Sequence, residues 1–301
     1  MVGLNNLMPR VLIGCPVSQR HEKVFFEWIT NLKNLSYPNF DLCLVDNTLD
    51  TKEYYNKIKD IDINIDDSDR KVICMRHKWD PKKQHPIQML ADAREKIRQY
   101  AIKEDYDYLF WLDDDIFIPQ NGIQKLLSYN KDAVGFYVHV FYEPIQVPCL
   151  LKSGNILIGK GLDFFSFDEI DGYKSFVKRF REDKLSKKDK ALIPFIIKDL
   201  EKPQLFTTYG VNLGCLMTSK KLMNEVPFRT HPSFIYGEDL WFYAEANDKH
   251  YEFWCDTDVR PEHKNTEWSS VIKKSSKKMN FFVAYGPSDA KEAEIVERKH
   301  G

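Results

Sequence analysis

Along the first half of the chain, short apolar runs alternate with stretches whose apolar positions recur every three or four residues, the pattern of strands interleaved with amphipathic helices. Arg10 to Cys15 reads as a buried strand ending at Pro16, and Phe25, Trp28, Ile29, Leu32 and Leu35 then mark one face of a helix. Phe40 to Val45 gives a second strand, closed by Asp46-Asn47-Thr48, whose side chains suit a turn and the cap of a helix beginning near Thr51. Lys71 to Arg76 is a third strand. A long helix is expected over Pro86 to Lys103, and Tyr106 to Leu112 follows as an almost wholly apolar strand, the kind buried on both faces. This alternation predicts an α/β fold, a mostly parallel sheet with helices on both faces.

Beyond a helix over Asn121 to Tyr129 and a strand over Ala133 to Phe141, regularity is lost between Glu143 and Gln204. Within that stretch Lys174 to Lys202 interleaves basic residues with Phe176, Phe180, Leu185, Phe195 and Ile197. Such a segment suits a solvated helical insertion, a lid or acceptor-binding subdomain, or a basic amphipathic helix on an anionic membrane. The pattern returns with a strand over Thr208 to Thr218, a helix over Ser219 to Val226, a helix from Glu238 and a last strand over Phe253 to Asp256, before a polar tail. One α/β domain with an elaborated second half is the simplest organisation.

Composition narrows the function classes. Lys and Arg total 44 against 45 Asp and Glu, so a net charge of -1 gives no general attraction for a polyanion, and no nucleic-acid partner is expected. No apolar run approaches the roughly 20 residues of a membrane span, and the first residues lack a leader's apolar stretch, so the expected address is the cytoplasm. The six cysteines form no Cys-x-x-Cys pair and are expected to be buried, reduced thiols.

Asp113-Asp114-Asp115 follows directly on the most apolar strand. Three adjacent carboxylates repel one another, so a cation or a donor network must neutralise them. They stand where ligands bind in open parallel sheets, beyond the carboxyl ends of the strands. If the segment is extended, 113 and 115 point one way and 114 the other, so one metal or metal-bound diphosphate would meet the first and third. Arg94 stands out independently: Ile87, Leu90, Arg94, Ile97 and Ala101 share one helical stripe, placing a guanidinium on the face turned to the sheet. There it needs an anionic partner or a route to water.

Tyr108-Leu-Phe-Trp-Leu-Asp-Asp-Asp-Ile-Phe-Ile-Pro119 resembles the Asp-x-Asp segment of glycosyltransferases with the GT-A fold, particularly the family 2 type. Other segments fall in that family's order, so the resemblance spans roughly residues 10 to 263. Ile13 to Arg20, with Pro16, is similar to the loop that wraps the nucleotide base, and Leu44-Val-Asp-Asn47 to the strand end whose acidic residue, here Asp46, meets it; Asp46 equally suits a plain turn. Ala91-Asp-Ala-Arg-Glu95 resembles the helix whose arginine, Arg94, faces the nucleotide. Gly210 to Met217 resembles a glycine-bearing strand in which Gly214 lets a sugar approach the backbone. Gly237-Glu-Asp-Leu-Trp241 resembles the pair whose aspartate, Asp239, is the general base, with Glu238 orienting the acceptor or the loop; acidic residues also suit any helix start. His263 matches a histidine that completes a metal site.

The resemblance implies a single domain over 1–263, with a nucleotide-binding half over 8–142, an insertion over 143–206, an acceptor-binding half over 207–263 and a tail over 264–301. It implies a hexosyltransferase that uses Mn²⁺ or Mg²⁺ held by Asp115 and His263 with help from Asp113, and a donor site that includes Asp113 and Asp114. The implied partners are a UDP- or GDP-sugar and a carbohydrate, lipid-linked or protein acceptor, and transfer proceeds by inversion. A retaining transferase, a sugar nucleotidyltransferase and a catalytically silent nucleotide-sugar binder remain the alternatives. The lone Gly14 in the opening strand argues against the nucleotidyltransferase, which needs a glycine-rich loop there.

Overall fold

The computed structural model describes residues 8–49, 52–64, 69–142, 145–148, 204–208, 210–230 and 237–264. The chain runs through β1 (Val11–Val17), α1 (Glu22–Lys33), β2 (Phe40–Asp46), α2 (Glu53–Ile58), β3 (Val72–Arg76), α3 (Pro86–Lys103), β4 (Tyr108–Leu112), β5 (Ile116–Phe117) and α4 (Gly122–Ser128). It continues through β6 (Ala133–Phe136), β7 (His139–Tyr142) and β8 (Ile145–Pro148). Beyond residue 203 come β9 (Leu205–Thr208), β10 (Cys215–Ser219), α5 (Lys220–Glu225), α6 (Glu238–Asp248), β11 (Phe253–Asp256) and β12 (Glu262–His263).

Eight strands form one mostly parallel sheet in the order β3-β2-β1-β4-β10-β6-β11-β9, in which β10 and β9 run against the rest. The strands alternate their side chains between two cores. Ile13, Leu42, Leu44 and Phe110 pack with Phe25, Trp28 and Leu32 of α1, Tyr54 of α2 and Ile123 and Leu126 of α4. Leu12, Cys43, Leu109 and Trp111 pack on the other face with Ala93 and Ile97 of α3, Leu222 of α5 and Phe242 of α6. A Cβ at Gly14 would lie 2.5 Å from Ile97 Cγ2, so this glycine lets α3 settle directly on β1.

The expected strand over Thr208 to Thr218 divides into β9 and β10. Asn212 Oδ1 accepts a hydrogen bond from Gly214 N at 2.8 Å and its carbonyl accepts from Cys215 N at 3.0 Å, a local turn that competes with the ladder. The strand over Ala133 to Phe141 also divides: sheet pairing ends at Phe136, and β7 pairs with β8 instead. Cys15, Cys43, Cys215 and Cys255 are buried free thiols. Among the described residues no helix is long and apolar enough to cross a membrane. The expectations for Lys174 to Lys202 and for the tail beyond 264 lie outside the described residues.

Candidate functional site

β1, β2, β4, β6 and β11 all end on one edge of the sheet, and β10 begins there. The three aspartates leave β4 at this edge, but not as an extended strand. Asp113 N donates to Gly214 O at 2.9 Å and Ile116 N to Asp113 O at 3.0 Å, so the chain turns across 113–115. The even-odd orientation expected of an extended segment therefore does not hold, and each carboxylate takes its own direction to a separate nitrogen-bearing side chain, Arg94, His21 or His263.

Asp113 meets Arg94, with Nη2 3.3 Å from Oδ1. Arg94 reaches up from α3 and places Nε 3.3 Å from Oε1 of Glu238 at the start of α6. Its guanidinium also lies over Trp111, 5.5 Å from the ring centroid. The arginine side chain is 7 % exposed, so the charge on the sheet-facing stripe is met by two carboxylates rather than by water. Burial opposes its charge, but Asp113 and Glu238 more than offset that and raise its pKa. Glu238 is raised above the usual carboxylate range, by burial first and by its neighbour Asp239 second, while Arg94 pulls it down. Arg94 Nη1 and Glu238 Oε2 are buried with no hydrogen-bond partner among the described residues.

Asp114 turns inward to His21, whose Nδ1 lies 2.6 Å from Oδ1. His21 ends a short 3-10 turn after β1, a turn held by Ser18 Oγ accepting from Arg20 N and by Gln19 N donating to Thr48 Oγ1 on the β2 side. Burial pushes Asp114 up to about 6 although His21 pulls it down. Burial likewise disfavours a charged His21, but the charge and hydrogen bond of Asp114 override this and raise it to about 9. A group raised on folding stabilises the fold fully below its ordinary pKa, 6.5 for this histidine, and that stability is lost as pH rises through about 9. Asp114→Asn removes the cause, so the fall in melting temperature between those two pH values is expected to flatten; an unchanged slope in a thermal-melt series would count against the pairing.

Asp115 faces His263, with Nε2 3.2 Å from Oδ2. The short ladder of β5 and β12 aligns His263 with Ile116, and Lys264 N donates to Asp115 O at 2.8 Å, which brings the histidine from the far end of the domain. Burial works against the Asp115 charge, yet the hydrogen bond and charge of His263 hold its pKa below the usual range.

Gly214 lies under Asp113. A Cβ there would stand 2.2 Å from Asp113 Oδ2, so the missing side chain makes room for the carboxylate itself. Asp46, at the end of β2, is fully buried; its Oδ1 accepts from Thr48 N at 2.9 Å, the turn role, while Oδ2 has no hydrogen-bond partner among the described residues. Arg76 approaches that oxygen at 3.8 Å. Pro16 pairs with Val45 at the end of β1. Asp239 sits in the first turn of α6, beside Glu238. The one residue of the cluster that sequence reasoning missed is His21. Its only signal was position, a polar loop beyond the strand that neighbours β4, and nothing in the residue spacing set it apart from the other histidines.

No protein-family model matches the chain, and no curated protein sequence matches it. Among solved structures it is similar to A197 from STIV, at 13% identity over 84% of this chain and 85% of that one, with a TM-score of 0.41. It is also similar to residues 1–349 of S. aureus TarS, at 12% identity over 84% of this chain and 59% of that one, with a TM-score of 0.45. Likenesses this distant carry no argument about activity.

Proposed function

We propose that this protein is a glycosyltransferase that moves one sugar, with inversion, from a UDP- or GDP-linked donor to an acceptor hydroxyl, using Mn²⁺ or Mg²⁺. The observation that carries the proposal is the meeting of Asp115 with His263 at 3.2 Å, from positions 148 residues apart in the chain. A carboxylate oxygen and an imidazole nitrogen are both donors that Mn²⁺ or Mg²⁺ accepts, so Asp115 and His263 are the residues that would hold the cation. Among the described residues there is no group of three or more His, Cys, Asp or Glu suited to hold a metal. Asp115 and His263 would supply only part of a shell, which phosphate oxygens and water would complete.

When bound, the cation supplies positive charge against the diphosphate. The remaining roles belong to the chain. Arg94, pinned between Asp113 and Glu238, keeps Nη1 as a spare buried donor for an anionic oxygen of the ligand. Asp113 would face the donor beside it, while Asp46, fully buried with Arg76 3.8 Å from Oδ2, shapes the strand end that would meet the nucleotide base. Asp239 is the general base for the acceptor hydroxyl, while Glu238, turned inward, holds the arginine rather than the acceptor.

A ligand that binds only the folded state raises its melting temperature, by about 2.7 kcal/mol of stability at a hundred times Kd. UDP or GDP is expected to raise the melting temperature in the presence of Mn²⁺ and much less without it. Asp239→Asn is expected to keep that shift and lose sugar transfer. Absence of a metal-dependent shift with either nucleotide would sink the proposal.

A further inference from the structure

We propose that His21 is an anion-binding residue of this site, whose Nε2–H takes an oxygen of the diphosphate. The inference rests on the reading of the site as one for nucleoside diphosphates and adds to it a residue that neither motif nor spacing marked. The geometry begins at the other ring nitrogen. Nδ1 is 2.6 Å from Asp114 Oδ1, close enough that the two atoms share a proton, with Nδ1 the donor when the carboxylate is ionised. Asp114 is 3 % exposed at its side chain and its second oxygen has no hydrogen-bond partner among the described residues, so its negative charge depends on the imidazole. A buried carboxylate of this kind favours the doubly protonated ring, in which Nε2 is a donor too.

That second nitrogen lies on the ring edge away from Asp114. The His21 side chain is 32 % exposed while Asp114 is buried, and its one hydrogen-bond partner among the described residues is met at Nδ1, not at Nε2. The ring is not free to wander, because the turn carrying it is tied to Ser18 and Thr48 and its Nδ1 is fixed. A diphosphate brought to three aspartates meets carboxylates that repel it, and fixed cations on either flank offset that repulsion. Arg94 is one such cation, reaching Asp113 from α3; His21 is the other, reaching Asp114 from the loop after β1.

The test is titration calorimetry with Mn²⁺ present, using UDP, GDP, the parent nucleosides and inorganic pyrophosphate on wild type, His21→Gln and His21→Lys. His21→Gln is expected to weaken both diphosphate and pyrophosphate about tenfold or more, the usual weight of one hydrogen bond to a charged group, with nucleoside affinity unchanged. His21→Lys is expected to retain most of the affinity. Equal weakening of nucleoside and diphosphate would show a role confined to loop structure and overturn the inference, as would no weakening at all. If wild type binds pyrophosphate through His21 but neither nucleotide, the nucleoside reading fails and His21 stands; if it binds neither, both fail. Should His21→Gln not fold, ring-nitrogen NMR of the wild type decides: His21 resonances that move on adding pyrophosphate support the contact, and unmoved ones overturn it.

Discussion

Gly214→Ala is expected to yield a folded protein whose sugar transfer falls about a hundredfold or more, the scale on which misplacing a site group by about an ångström acts. The new methyl carbon would lie 2.2 Å from Asp113 Oδ2 and 2.5 Å from its Cγ, far inside contact distance. The backbone has little freedom to yield, because Gly214 O accepts from Asp113 N and Gly214 N donates to Asn212. The aspartate is the part that moves. Its side chain is 35 % exposed, so it can swing into water at small cost to the fold, but in doing so it leaves Arg94. The guanidinium then loses one of its two anchors and no longer presents its spare nitrogen in place. Stability is therefore expected to fall by only about 1–2 kcal/mol, within the range of ordinary substitutions. Melting curves and transfer rates for the same preparation check both halves; undiminished transfer would remove Asp113 and Arg94 from the machinery.

That glycine illustrates what the sequence reveals and what it withholds. β1, β2, β4 and α3 are legible because each buries a continuous apolar run or a single stripe, and periodicity encodes burial directly. The three aspartates are legible for the opposite reason, since charge at the end of a buried strand contradicts the local pattern and demands a partner. Arg94 is legible on the same ground. What pairs with what is another matter. Arg94 with Glu238 spans 144 residues and Asp115 with His263 spans 148, distances over which no local period operates. Orientation within Asp113 to Asp115 was equally hidden, because an alternation rule applies to a strand and the chain turns there instead. Gly214 was visible as a close approach; that a carboxylate of the chain occupies the space follows only from the register of β10 against β4.

Arg94→Met is expected to be the most destabilising single change in the site, by about 3–5 kcal/mol, the usual cost of removing one partner from a buried ion pair. The methionine fills much of the arginine's volume beside Trp111, so the loss is chiefly electrostatic. It leaves Glu238, 5 % exposed and beside Asp239, without the cation that restrains its shift. Glu238 is already raised by burial and by Asp239, and Arg94 is what restrains the shift, so the variant should raise it further. A carboxylate raised on folding favours the native state most below its ordinary pKa and loses that favour as pH climbs through the folded value. The destabilisation is therefore expected to be smaller at pH 5, where Glu238 holds a proton, than at pH 8, where it must ionise or force the fold to accept a proton at a cost. Arg94→Met with Glu238→Gln removes both charges, and the double variant should recover a good part of the loss at pH 8. Urea denaturation of wild type, both single variants and the double variant at the two pH values closes the cycle. An additive result within about 0.5 kcal/mol at pH 8 would mean that the two groups do not interact, and the bridge between α3 and α6 would have to be abandoned as a source of stability.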